Sequence, residues 1–80
     1  MSATISFGLL GRAPRLGPTF STHIAVGGQV FVVDVSWVIY AGEYWTRMDA
    51  SECMTRFCRG HLDRFAAAEL YADFANAARV

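Results

Sequence analysis

One twelve-residue run constrains this chain more than any other: Gln29-Val-Phe-Val-Val-Asp-Val-Ser-Trp-Val-Ile-Tyr40. Side chains alternate sides along a strand, so its odd positions, Phe31, Val33, Val35, Trp37 and Ile39, form one wholly apolar face. The even positions, Val30, Val32, Asp34, Ser36, Val38 and Tyr40, are mixed. β-Branched and aromatic residues dominate, and neither Pro nor Gly interrupts the run. A long central strand with its odd face on a core is the expected result.

The segment before it completes a hairpin. Thr19-Phe-Ser-Thr-His-Ile-Ala-Val26 alternates, and Gly27-Gly28 suits a two-residue turn that needs positive φ. Such a loop pairs Val26 with Gln29, Ile24 with Phe31, Thr22 with Val33 and Phe20 with Val35, which brings both apolar faces together. A slip of one residue would destroy that agreement. Downstream, Ala41-Gly42 or Gly42-Glu43 turns the chain into Tyr44-Trp-Thr-Arg-Met48. Either turn puts Tyr44, Thr46 and Met48 on the core side, and Glu43, Trp45 and Arg47 on the outer side.

The flanks are read from punctuation and period. Ile5, Phe7 and Leu9 alternate, predicting a strand over 4–10, and the Pro- and Gly-rich stretch 11–18 predicts a loop carrying Arg12 and Arg15. Asp49-Ala-Ser-Glu52 has the spacing of a capping box, so a helix is expected over 50–59. Gly60 then breaks the pattern and Asp63 can cap a second helix over 63–78, with a single bent helix as the alternative. The expected architecture is one α+β domain over residues 1–80. It is an antiparallel β-meander of three to four strands (about 4–10, 19–26, 29–40 and 44–48) packed on one or two C-terminal helices.

Composition limits the functional classes. A hydrophobic fraction of 54% excludes a disordered chain, and no apolar run approaches the roughly 20 residues of a membrane span. The N-terminus lacks the basic and apolar regions of a signal peptide, so a cytoplasmic location is expected. Net charge is zero, which argues against both a DNA mimic and a strongly basic nucleic-acid binder. On one helix Cys53 and Cys58 would sit about 7–9 Å apart, too far for a disulfide.

Motifs for chemistry are sparse. Cys53, Cys58 and His61 form C-x4-C-x2-H, to which His23 could add from the sheet, but a regular helix carries Cys53 about 12 Å from His61. Buried cysteines are the simpler reading. No phosphate loop, nucleophile elbow or suggestively paired carboxylates occur, and no catalytic residue, metal ligand or cofactor is assigned. Arg56, Arg59 and Arg64 would face DNA if the two helices formed a helix-turn-helix, yet Glu52, Asp63, Glu69 and Asp73 are interleaved with them. The outer sheet face is the more informative feature. It gathers Val30, Val32, Val38, Tyr40 and Trp45 beside Asp34, Arg47 and His23, more apolar surface than a solvated face needs. Of these, Val32, Val38, Tyr40, Trp45 and Arg47, with Arg12 and Arg15 of the loop, are the candidate partner-binding set. A homodimer, or cover by the terminal helices, would bury the same face.

A small non-enzymatic protein with that surface resembles the phage-encoded anti-CRISPR proteins. The resemblance lies in the layout: the Val26-Gly-Gly-Gln29 hairpin, the long strand to Tyr40, then the helix opened by Asp49-Ala-Ser-Glu52. It implies steric occlusion of a type I CRISPR effector (Cascade) in the host cytoplasm, through a mixed apolar and charged surface. The alternatives from other classes are a self-associating regulatory or structural module and a DNA-binding regulator using the C-terminal helices.

Overall fold

The computed structural model describes residues 7–50 and 55–77. Its elements run α1 (Phe7–Arg12), β1 (Arg15–Val26), β2 (Gln29–Tyr40), β3 (Glu43–Ala50), β4 (Arg56–Arg59) and α2 (Arg64–Ala77). The strands form one antiparallel sheet in the order β1-β2-β3-β4, an α+β arrangement with α2 packed on one face.

The hairpin register follows from side-chain alternation. Val26 pairs with Gln29, Ile24 with Phe31, Thr22 with Val33 and Phe20 with Val35. Gly27 and Gly28 both take positive φ, 58° and 83°, the geometry that lets a two-residue loop match the twist of its strands. At the second turn Tyr40 pairs with Glu43, so Ala41 and Gly42 are its central residues, and again both have positive φ. From there Met48 faces Val35 and Thr46 faces Trp37, on the side expected of them.

Two layers of side chains result. On the inner face Ile24, Val33, Val35, Trp37 and Met48 pack against Ala67, Ala68 and Tyr71 of α2. Asp63 starts that helix: its Oδ1 accepts from the Ala66 N–H at 2.8 Å, and its carbonyl accepts from the Ala67 N–H at 2.9 Å. The buried stripe of α2 runs through its alanines, with Ala72 and Ala75 half-buried while Leu70 and Phe74 stay exposed. Alanines let the helix axis lie close to the sheet. Phe74 lies instead beneath the Arg56 guanidinium, 3.5 Å from its ring centroid.

Three expectations need correction. Residues 7–10 are helical rather than part of a strand over 4–10, whose first residues lie outside the described ones. A helix buries Leu10 completely against Val38 and Trp45, whereas alternation would have turned Leu9 inward. The Ala13 N–H bonds the Leu10 carbonyl at 3.1 Å, and Pro14 ends the helix because it disfavours helical geometry at the residue before it. Second, the expected loop over 11–18 gives way to β1 from Arg15 onward. Leu16 pairs with Trp37, and the irregularity between Leu16 and Phe20 absorbs Gly17 (φ 74°) and Pro18. Proline is tolerated there because β1 is an edge strand interrupted by a bulge.

Third, no helix occupies the described parts of 50–59. β3 continues to Ala50, which pairs with Val33, and Arg56–Arg59 form β4 against β3. Asp49 caps no helix. Its carboxylate accepts from Arg47 Nε at 2.7 Å and from the Thr55 hydroxyl. Glu52 and Cys53, the other residues of that reading, lie outside the described residues. A four-residue strand is too short for its period to be seen, and Cys58 and His61 stand at a helical step by coincidence.

Candidate protein interface

The outer face divides into three zones. Nearest the Ala41-Gly42 turn, α1 lies across the sheet, and Leu10, Val38 and Trp45 form a second small core with Ala13, Tyr40 and Phe57 around it. Trp45 is only 6% exposed and Val38 is fully buried, so neither belongs to an open face. That corrects their place in the candidate set. The cause is α1, which covers residues that an uncovered sheet would leave open. Tyr40 is half-buried at the edge of the same cluster.

The middle zone is polar. Ser21, Asp34 and Asp49 form one cross-strand row, and Ser36, Arg47 and Phe57 form the next. The Ser21 hydroxyl donates to Asp34 Oδ1 at 2.6 Å. Arg47 is half-buried and structural: Nε serves Asp49, while Nη1 donates to the Gly11 carbonyl at 3.3 Å and ties the end of α1 to the sheet. Opposed carboxylates repel across a ladder, and these donors offset that repulsion. Arg15 reaches Asp49 at 3.9 Å while remaining largely solvated, and Arg12 is exposed at the end of α1.

The third zone, toward the Gly27-Gly28 turn, is apolar and open. Val30 is 70% and Val32 44% exposed, with Ala25 and His23 opposite them on β1. Of the candidate residues, Val32, Arg12 and Arg15 are therefore at the surface, and the structure does not bring Val32 together with the two arginines. Val30 belongs to the outer face by alternation, yet it stands outside the candidate set, which follows the aromatic residues. Its alternation with Val32 on the same face was the available clue.

The inner face offers no metal centre among the described residues. His23 is on the outer face, while Cys58 faces inward beside Met48, Leu70 and Tyr71. His61 is held between aromatic rings of Trp37 and Tyr44. Arg56 and Arg59 stand on β4 rather than on a helix, so the described residues contain no helix-turn-helix. No helix among them is long and apolar enough to cross a membrane. No protein-family model, curated protein or solved structure matches the chain.

Proposed function

We propose that the protein is a non-enzymatic binding module that covers a surface of a protein partner with the hairpin end of its outer sheet face. One observation carries the reading: Val30 and Val32 stand exposed at alternate positions of β2, on the side opposite α2 and clear of the Leu10–Trp45 cluster. The adjoining Ser21–Asp34–Asp49 row supplies a polar rim. Zero net charge suits a mixed surface better than mimicry of nucleic acid.

The layout resemblance to anti-CRISPR proteins makes a type I effector complex the first partner to try, with steric occlusion as the mode of action. The hairpin and long strand on which it rests are present, and the helix follows β4 instead of Asp49. Affinity capture of the tagged chain from cells expressing such a complex, paired with Val32→Glu, tests the proposal. Stoichiometric Cascade subunits with the parent chain and none with the variant is the expected result. Equal recovery with both, or no partner with either, rejects this face as the binding surface.

A further inference from the structure

We propose that two copies of the chain join edge to edge through β1, about a two-fold axis at His23, to make one continuous eight-stranded sheet. This does not rest on the partner-binding reading above. The sheet has two edges, β1 and β4. β4 is four residues long and bears Arg56 and Arg59, two devices that keep an edge from pairing. β1 has such protection toward its Arg15 end, in Arg15, the Gly17-Pro18 bulge and their irregular register, and at the other end only the Asn76 side chain on Ala25 and Gly27. From Phe20 to Val26 it carries neither a Pro nor an Asp, Glu, Lys or Arg.

The register identifies which main-chain groups face outward. In a hairpin with a two-residue loop the closing pair exchanges hydrogen bonds, and bonded pairs then alternate along the ladder. Val26, Ile24, Thr22 and Phe20 therefore bond to β2, while Ala25, His23 and Ser21 direct their N–H and C=O groups away from it. Asn76 of α2 confirms the direction: its Nδ2 donates to the Ala25 carbonyl at 3.2 Å, and its Oδ1 accepts from the Gly27 N–H at 3.2 Å. Among the described residues no hydrogen bond engages the outward main-chain groups of Ser21 and His23.

The occupant is a second copy because the segment complements itself. An antiparallel pairing centred on His23 sets Phe20 against Val26, Thr22 against Ile24 and Ser21 against Ala25 of the other copy. Aromatic meets β-branched on the inner face, and small meets small on the outer. α2 runs in the same direction as β1, with Arg64 over Phe20 at one end and Asn76 at Ala25 at the other. The two-fold therefore lays the two α2 helices antiparallel. Arg64 and Phe65 of each then lie toward the C-terminal half of the other's α2. Phe65 is 66% exposed in the single chain, beside a cleft lined by Thr22, Ile24 and Ala68. With zero net charge the copies do not repel at long range.

Sedimentation velocity of the full chain across the micromolar range, with amide hydrogen exchange, tests this. The expected species has twice the 8.8 kDa mass of one chain, and the Ser21, His23 and Ala25 amides are protected in it. His23→Lys places like charges on the axis, and Phe65→Glu removes the helix contact. Each should weaken association by at least about tenfold while leaving the far-ultraviolet circular dichroism unchanged. Tyr44→Ser, at the far end of β3, should leave the dimer intact. A monomer throughout the range overturns the proposal, as does a dimer indifferent to both variants or one with rapid exchange at His23.

Discussion

His61 lies flat on Trp37, with ring centroids 4.6 Å apart and planes 1° apart. Tyr44 closes edge-on to the same imidazole at 5.4 Å, and Phe20 packs edge-on to Trp37. The segment that carries the chain from β4 to α2 is thus fastened to the inner sheet face by rings. Trp37 Nε1 adds a hydrogen bond to the Leu62 carbonyl at 2.8 Å.

Trp37→Ala should therefore cost about 3–5 kcal/mol, as a large core truncation. Trp37→Phe keeps a ring under His61 but strands the Leu62 carbonyl, and should cost about 1–3 kcal/mol. Urea unfolding read by circular dichroism separates the two. A nearly neutral Trp37→Ala would mean that the inner face is not the core.

Thr46 does comparable work with one hydroxyl. It is fully buried, donates to the Gly60 carbonyl at 2.7 Å and accepts from the Leu62 N–H at 2.9 Å. Gly60, at φ 105°, also sends its own N–H to the Tyr44 carbonyl at 2.8 Å. Thr46→Val preserves shape and removes both side-chain bonds, so a loss of about 1–3 kcal/mol is expected. Thr46→Ser keeps the hydroxyl and should lose less in the same unfolding measurement.

The Ala41-Gly42 turn is built on an unsuitable residue. Ala41 has φ 55°, a left-handed conformation that its Cβ disfavours. Asparagine accepts this geometry, and Asn-Gly is the preferred pair for such a turn. Ala41→Asn should stabilise the protein by about 0.5–1 kcal/mol, raising the melting temperature by several degrees in calorimetry. Gly42→Ala, at φ 78°, should lower it.

The hairpin was legible because a two-residue turn and two alternating faces leave only one register, from Val26 with Gln29 to Phe20 with Val35. Asp63 was legible as a helix start because capping is local. The errors share a cause in tertiary context. Asp49 and Glu52 have the spacing of a cap, but β3 pairing of Ala50 with Val33 and the salt bridge to Arg47 claim Asp49 first. Leu9 and Leu10 fit either period, and only the need to cover Val38 and Trp45 selects the helix that buries Leu10. The same cover removes Val38 and Trp45 from the surface and leaves the exposed patch to Val30 and Val32.

Trp45 differs from Trp37 in a way that mutation can measure. Its indole N–H is buried with no hydrogen-bond partner among the described residues, whereas that of Trp37 is satisfied. A buried unpaired donor carries a desolvation penalty of about 1–3 kcal/mol. Trp45→Phe removes that penalty along with part of the ring, so the two effects oppose each other. The net change should be smaller than for Trp37→Phe, where the lost volume and the lost hydrogen bond act in the same direction. Arg59 lies 5.3 Å from the Trp45 ring centroid and can keep its contact with a phenyl face. Parallel urea titrations of the two variants give the comparison. If Trp45→Phe proves the costlier, packing of the indole against Leu10 outweighs its unpaired N–H, and α1 is held to the sheet mainly by that ring.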